Sequence, residues 1–247
     1  PSATPFSGER KEGRIMTAEV FERELLRLGE AAGLQLSEEQ AELCCQHIAL
    51  MLEWNRRVNL TRITDPYEIC VKHLLDSLLP AQWLPREGLA LDVGTGPGFP
   101  GVPLKILCPD LTTVLLEANH KKVAFLKMLL SRLRLKGLHA LQGKWETFPE
   151  KPDPLCRKQY TLITMRAVKL QPEHLTELAS RILAPGGVFA WWAGPGENLP
   201  TVAVSSLRDA SMVFHANFSY ALPGASRPRQ LFLWKKAPPL THEMSEK

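Results

Sequence analysis

The sequence lacks the long apolar runs that a membrane protein needs. In its 247 residues no hydrophobic stretch approaches the roughly 20 residues that cross a bilayer as a helix, and no signal-peptide pattern stands at its start. The five cysteines are odd in number and lack the spacing of a metal site, so they indicate reduced thiols. From these absences we expect a cytoplasmic protein with no membrane partner and no metal ion.

The composition is that of an ordinary globular chain with a mild basic bias. Hydrophobic residues make up 45% and charged residues 23%, which suits one α/β domain with a smaller attachment. The net charge of +4 is compatible with a nucleic-acid partner without requiring one.

The most informative stretch is LDVGTGPGFPG at 91–101. An apolar run ends at Asp92 and Val93, and Gly94, Gly96, Gly98 and Gly101 follow it. Glycine permits positive φ and close approach of the backbone to a ligand, and the free N–H groups of a new helix favour a charged or polar group. The stretch predicts a buried strand, a tight turn with a ligand, and a helix; a turn without a ligand is the plain alternative.

Two cofactors fit the glycine pattern. Gly96, Gly98 and Gly101 match G-x-G-x-x-G, and Glu117 lies where a ribose-binding acid belongs, which would make the chain an NAD-dependent oxidoreductase. Counted from Gly94 the spacing fails, because Phe99 stands where the third glycine belongs. The form D-x-G-x-G-x-G, with Asp92 expected to point at the ligand crevice, resembles motif I of the class I S-adenosylmethionine (AdoMet) methyltransferases. We therefore favour AdoMet and keep NAD as the alternative.

Three helices are predicted before the first strand. They begin at cap patterns on Thr17, on Ser37 with Gln40, and on Asp65 followed by proline. On the third helix Lys72, His73 and Asp76 share one face if the helical period holds. That face either borders the crevice or a nucleic acid, or is a solvated surface with a Lys72–Asp76 pair.

Strands and helices alternate through the rest of the chain, including a helix with Leu175, Leu178, Ile182 and Leu183 that ends at Pro185-Gly186-Gly187. Two final strands, at about 212–221 and 230–236, leave no room for a crossover helix between them and should pair as a hairpin. The pattern predicts an α/β, doubly wound, Rossmann-like sheet plus a small N-terminal helical bundle. The resemblance to the class I AdoMet methyltransferases implies that the last strand of this sheet is antiparallel. We divide the chain into a disordered tail at 1–16, a helical region at 17–86, a methyltransferase domain at 87–237 and a loose tail at 238–247.

Candidate ligand contacts follow four successive strands. Since the ligand of such a sheet lies beyond the carboxyl ends of its strands, we expect these residues to converge there. They are the 94–99 turn, then Glu117 for the ribose hydroxyls, Trp145 and Glu146 for the adenine, and Arg166 for the cofactor or a phosphate. The alternatives are a helix N-terminal acid for Glu117, a surface loop with a buried Trp145, a core aromatic for Phe99, and a structural ion pair for Arg166.

Four segments of the sequence, taken together, are characteristic of one protein family. WNRRVNLTRITDPYEICVKHLLDSLL, LDVGTGPGFPGVPLKI, LLEANHKKVAFLK and ITMRAV resemble the RsmG (GidB) family, bacterial methyltransferases that act on guanine N7 in 16S ribosomal RNA, from about Gly33 to Trp234. The resemblance implies 16S rRNA, within the small ribosomal subunit, as partner. It implies AdoMet binding at Gly94, Phe99, Trp145, Glu146 and Arg166, with Glu117 on the ribose. The glycine turn itself adds Gly96 and Gly98 as candidate cofactor-binding residues. The resemblance also implies roles near the substrate for Asn59, His73, Asp76 and Arg229, and we add Arg166 as a further candidate there. On their positive charge, Arg56, Arg57, Lys72 and Arg229 are the candidates for RNA contact.

The chain departs from the family pattern at three positions. Ala193-Gly194 replaces a Lys-Gly pair, Gln230 replaces the histidine of an Arg-His pair, and Glu117 replaces an aspartate. The lost lysine leaves a non-catalytic ribosome-assembly or RNA-binding factor on the same fold as a further alternative.

The chemistry agrees with an N7 target. Guanine N7 carries an in-plane lone pair and no proton, so methyl transfer needs alignment rather than a general base. The chain lacks an N-P-P-Y type motif for amino-group methylation, and Cys108-Pro109 reverses the Pro-Cys order of pyrimidine C5 enzymes.

Overall fold

The structure is a computed structural model, and it describes residues 17–167, 179–194 and 212–238. The predicted tail at 1–16, nearly all of the predicted tail at 238–247, and the predicted helix positions Leu175 and Leu178 lie outside the described residues.

Two long helices open the described chain, and both begin at the predicted caps. Helix α1 (Ala18–Ala31) has the Thr17 hydroxyl accepting from the N–H of Val20. Helix α2 (Glu38–Asn55) begins with a capping box in which the side chains of Ser37 and Gln40 each accept from the other's N–H. These predictions are confirmed.

The third helical segment is not regular. It begins as α3 (Pro66–Ile69), capped by Asp65, and continues as a π-helix (Cys70–Leu75), α4 (Asp76–Leu78) and a 3-10 helix (Leu79–Trp83). We call the whole stretch, 66–83, the composite helix. A π-helix is bonded from residue i to i+5, so side-chain directions calculated with the α-helical period fail across it.

The sheet has seven strands in the order β3-β2-β1-β4-β5-β7-β6. Strands β1 to β5 are parallel to one another, and β7 is antiparallel to both β5 and β6, so the predicted final hairpin and antiparallel last strand are confirmed. The strands are β1 (Gly88–Val93), β2 (Leu111–Glu117), β3 (Leu138–Gln142), β4 (Tyr160–Arg166), β5 (Leu183–Ala193), β6 (Met212–Tyr220) and β7 (Arg229–Lys236).

Strand β5 begins earlier than predicted. The sequence placed Leu183 in a helix that ends at a Pro185-Gly186-Gly187 turn, but Leu183 pairs with Tyr160 of β4, and a register shift follows before Leu162 pairs with Val188. The proline and glycines therefore lie within an irregular stretch of strand.

Helices α5 (Gly101–Leu107) and α6 (His120–Leu133) follow β1 and β2, and short 3-10 helices (Trp145–Glu150 and Pro154–Arg157) connect β3 to β4. One hydrophobic cluster contains Phe21, Ile48, Leu74, Leu115 and Phe125 together. The N-terminal helices thus bury their apolar sides against the same core as the sheet and α6.

Candidate cofactor site at the carboxyl edge of the sheet

The glycine turn after β1 is bonded to the end of β2. The N–H groups of Gly94 and Thr95 both donate to the carbonyl of Leu116, at 2.9 and 3.1 Å. Gly94, Gly96 and Gly98 all have positive φ, of 66°, 59° and 100°. A Cβ added to Gly96 would meet no atom within 4 Å, so this glycine faces open space. The structure thus has the positive-φ glycine turn that the sequence predicted, with open space beside Gly96; its binding of a ligand stays a prediction.

Glu117 connects the turn to β2. Its Oε2 accepts from the N–H of Gly96 at 2.9 Å and its Oε1 from the N–H of Asn119 at 2.8 Å, and the residue is 8% exposed. A carboxylate offers about four lone-pair sites, so two remain for further donors such as ribose hydroxyls.

Asp92 does not point into the crevice as the sequence suggested. It is 1% exposed, and its Oδ2 accepts from the N–H of Gly101 while its Oδ1 accepts from the hydroxyl of Thr164, both at 2.8 Å. Burial raises the pKa of its carboxyl to about 6, against those hydrogen bonds. Asp92 therefore fixes the start of α5 instead of contacting a ligand.

Phe99 is buried and stacks on two histidines. Its ring stacks on His47 and on His73, with centroids 4.7 Å apart in both cases, and the residue is 3% exposed. The guanidinium carbon of Arg166 lies 5.4 Å from the ring centroid. Since the side chain is enclosed, the predicted cofactor contact of Phe99 is left to its backbone.

Trp145 and Glu146 follow β3 at the start of a 3-10 helix. Both are partly exposed, and Trp145 packs against the core cluster on the β4 and β5 side. The Oε2 atom of Glu146 is buried and has no hydrogen-bond partner among the described residues. A buried acceptor without a donor is rare, and here it suits a ligand amine.

A buried carboxylate links the composite helix to the last strand. Asp76 is 1% exposed, and Arg229 donates to it from Nε and Nη2, at 3.1 and 2.9 Å. Nη1 of Arg166 also donates to it, at 3.2 Å, and the hydroxyl of Tyr220 at 2.7 Å. Burial raises the pKa of Asp76, but the hydrogen bond from Arg229 and the charges of both arginines outweigh it, so the net pKa is lowered.

This cluster rules out the Lys72–Asp76 pair that was one alternative for this face of the helix. Lys72 does not pair with Asp76: it is exposed, and its ammonium lies 2.6 Å from Glu68 on the previous turn. The guanidinium of Arg229 is directed to Asp76, and the contact of Arg229 with RNA stays a prediction. Arg166 does form the structural ion pair weighed as its alternative role.

The other predicted substrate-side residues differ in their burial. His73 is half-buried; its Nε2 lies 3.0 Å from the hydroxyl of Thr61, and burial lowers the pKa of its imidazole to about 3. Asn59 is exposed, as are Arg56 and Arg57 directly after α2. The structure therefore brings His73, Asp76 and Arg166 together and leaves Asn59, Arg56 and Arg57 at the surface.

Sequence reasoning missed four contributors. Asn55 accepts from the N–H groups of Leu60 and Thr61 and so shapes the loop after α2. Thr164, Tyr220 and His47 each bond a residue of the site described above or its turn. His47 carried a weak signal, since it lies on the buried side of α2 among apolar residues.

The strand order and the turn together define the class. A parallel sheet with an antiparallel seventh strand inserted beside β5, and a glycine turn bonded to an acid after β2, is the class I AdoMet-dependent methyltransferase fold. Solved structures agree on the fold. A SAM-dependent methyltransferase from Aquifex aeolicus matches 72% of this chain and 97% of its own, with a TM-score of 0.54 and 17% identity. The [4+2]-cyclase SpnF matches 66% and 80%, with a TM-score of 0.52 and 13% identity.

The chain belongs to the GidB family, rRNA small subunit methyltransferase G, whose family model matches residues 38–217. A ribosomal RNA small subunit methyltransferase G 1 from Syntrophobacter fumaroxidans is 53% identical over 82% of this chain and 91% of that protein. A ribosomal RNA small subunit methyltransferase G from Streptococcus pneumoniae is 35% identical over 82% and 86%. The family resemblance of the sequence is confirmed, and the chain is a methyltransferase by family.

Within residues 17–167, 179–194 and 212–238, no helix combines the length and apolar character needed to traverse a bilayer. The same residues contain no group of three or more side chains arranged to hold a metal ion.

Proposed function

We propose that this protein transfers a methyl group from AdoMet to N7 of a guanine in 16S ribosomal RNA, in the cytoplasm. The observation that carries the proposal is the open turn at Gly96, bonded to Glu117, in a chain of the GidB family. The relatives are named for methylation of small-subunit ribosomal RNA, which supports the substrate.

The residues present fit AdoMet. The 94–98 turn leaves its backbone open at Gly96, Glu117 keeps free lone pairs for the ribose, and Glu146 has a buried oxygen without a donor. We assign Trp145 and Glu146 to the adenine and Arg166 to the amino-acid end or a substrate phosphate. When bound, AdoMet supplies an electrophilic methyl group on a sulfonium.

The protein itself contributes the alignment of guanine N7 with the methyl group of AdoMet. Guanine N7 has no proton to remove, so no general base is required. His73 is held neutral by burial, and Arg166 stays protonated, so both are suited to positioning a neutral base and its phosphate. Asp76 holds Arg166 and Arg229 at the edge of the crevice.

For contact with RNA, α6 supplies the unpaired positive charge. From 118 to 145 the chain has no acidic residue. Lys121, Lys127 and Arg132 are exposed on α6 and form no ion pair with any described residue. Helix α2 packs on α6 through Trp54 and Phe125, 5.9 Å between centroids, which brings Arg56 and Arg57 close to α6. We propose that this surface, with Arg56 and Arg57, contacts phosphates of the ribosomal RNA.

The test is methyl transfer from radiolabelled AdoMet to small-subunit particles and to naked 16S rRNA, followed by mapping of the labelled nucleotide. Label on guanine N7 supports the proposal. Binding of particles without transfer supports the assembly-factor alternative, and calorimetric binding of NAD with no AdoMet signal supports the oxidoreductase. The strand order opposes NAD, because dinucleotide-binding sheets of the 3-2-1-4-5-6 type lack the antiparallel strand beside β5.

A further inference from the structure

The tip of the glycine turn is held by a histidine of the N-terminal region. His47 lies in the middle of α2, is 0% exposed, and places Nε2 2.7 Å from the carbonyl oxygen of Pro97. A carbonyl only accepts, so Nε2 carries the proton and donates. Nδ1 is buried and has no partner among the described residues, which agrees with a neutral ring.

The fit around this hydrogen bond is close. The His47 ring stacks on Phe99 at an interplanar angle of 24°, and His73 of the composite helix also stacks on Phe99, at 11°. A Cβ added to Gly98 would lie 2.7 Å from Cγ2 of Val102 and 3.4 Å from the His47 ring. Two elements outside the sheet thus enclose the segment Pro97–Phe99.

The turn is therefore held by hydrogen bonds at both Gly96, which has open space beside it, and the next residue, Pro97. On one side the N–H of Gly96 donates to Glu117, and on the other the carbonyl of the next residue, Pro97, accepts from His47. Gly96 and Gly98 both adopt positive φ between these anchors. A peptide with such freedom loses entropy when a ligand orders it, unless the protein has already fixed it.

We propose that His47 is a positioning residue for the cofactor: its Nε2–H fixes the Pro97 carbonyl and so holds the Gly96–Gly98 backbone ready for AdoMet. This inference rests on the proposed function. It makes α2 a structural part of the cofactor site, and it gives His47 a task that simple filling of the core would not require.

Variants can separate hydrogen bonding from core packing. His47→Phe keeps an aromatic ring against Phe99 but removes the donor. His47→Gln keeps a donor, because its amide nitrogen reaches about as far as Nε2, and His47→Asn has the same group too near the backbone to reach Pro97. Ile48→Val is the matched control, since Ile48 is also 0% exposed on α2 and no hydrogen bond to the turn depends on it.

The experiment measures AdoMet dissociation constants by calorimetry, the KM for AdoMet, kcat at saturating AdoMet, and unfolding midpoints without ligand. We expect His47→Phe and His47→Asn to weaken AdoMet binding about five- to tenfold, the usual range for one lost hydrogen bond, and to raise KM more than they lower kcat. His47→Gln should stay within about threefold of the wild type, and Ile48→Val should lower the unfolding midpoint without changing AdoMet affinity.

Two results overturn the inference: AdoMet affinity unchanged in both His47→Phe and His47→Asn, or equal losses in the Gln and Asn variants. If the Phe variant fails to fold, the Gln and Asn comparison decides alone. A wild-type protein that binds no AdoMet removes the proposed function and this inference with it, which is a distinct outcome from wild-type binding that the variants do not change.

Discussion

The N–H of Gly96 donates to Oε2 of Glu117 at 2.9 Å, so the turn after β1 and the acid after β2 form one unit. The acid that we assign to the ribose also fixes the conformation of the turn. A ligand at this point meets a carboxylate that is already oriented by two backbone N–H groups, from Gly96 and Asn119. Such preorganisation lowers the entropy lost on binding.

Valine substitutions at two glycines of this turn should behave differently. At Gly96 an added Cβ meets nothing within 4 Å, so Gly96→Val should fold, with about 1–2 kcal/mol of backbone strain, and project its side chain into the ligand space. At Gly98 the Cβ would lie 2.7 Å from Cγ2 of Val102, so Gly98→Val should destabilise the protein more than Gly96→Val does. Urea unfolding and AdoMet calorimetry check both variants. Normal AdoMet binding by folded Gly96→Val would show that this turn is not the cofactor site.

Asp76→Asn should destabilise the protein by about 3 kcal/mol, because it leaves the two arginines around position 76 without their counter-ion. The Asn oxygen can still accept from Tyr220, but its NH2 group would face the donors of Arg166 and Arg229. The control is Glu68→Gln in the Lys72–Glu68 pair, whose side chains are 46% and 50% exposed, for Glu68 and Lys72 respectively. That change should cost less than about 1 kcal/mol. Chemical unfolding of both variants measures the difference in the free energy of unfolding. Equal losses would contradict the role of Asp76 as the buried counter-ion of the two arginines.

Removing positive charge from α6 should weaken binding of ribosomal RNA and flatten its salt dependence. Each phosphate contact contributes roughly 0.7–0.9 to the slope of log K against log salt, so Lys127→Ala with Arg132→Ala should lower the slope by about 1–2. Arg157→Ala with Lys158→Ala is the control, because both residues are exposed basic residues outside α6, in the segment before β4. Subunit binding at several salt concentrations gives the slopes, and AdoMet affinity should not change. Identical slopes for the two double variants would exclude α6 as the contact surface.

The free energy of unfolding should fall as the pH drops below about 6.5. Burial lowers the pKa of His47 to about 4 and of His73 to about 3 from 6.5, so below that pH the unfolded chain binds protons that the folded protein does not. Burial raises the pKa of Asp92 from 3.8 to about 6, so the folded protein gains a proton there and offsets part of the loss between about pH 6 and 4. His47→Gln removes one histidine contribution and should reduce the loss between pH 7 and pH 5 by about 1–2 kcal/mol. Denaturant unfolding at both pH values tests this, and an unchanged pH dependence would contradict a neutral, buried His47.

The parts of the structure that were predicted correctly depend on patterns that are local in the sequence. Thr17, Ser37 and Asp65 cap their helices because capping depends on residues three apart in sequence. Gly96 and Glu117 could be placed at one edge because every parallel strand of such a sheet ends there.

The errors arose where local patterns do not decide the geometry. Lys72 and Asp76 were placed on one face with the α-helical period, but the π-helix over Cys70–Leu75 turns Asp76 inward and leaves Lys72 outside. No sequence pattern connects Asp76 to Arg229 or His47 to Pro97, which are 153 and 50 residues apart. Such pairs are set by packing of the whole chain.

The Asp76–Arg229 pair has a consequence for the order of folding. Arg229 is synthesised 153 residues after Asp76 and opens the last strand of the sheet. Until β7 has been made, the nascent chain must keep Asp76 hydrated or leave it with Arg166 alone, so the composite helix cannot reach its final burial early. Contacts so distant in sequence form slowly, and incomplete chains expose apolar surface while they wait. We therefore expect final docking of the N-terminal helices to follow completion of translation, and chains that end before Arg229 to aggregate.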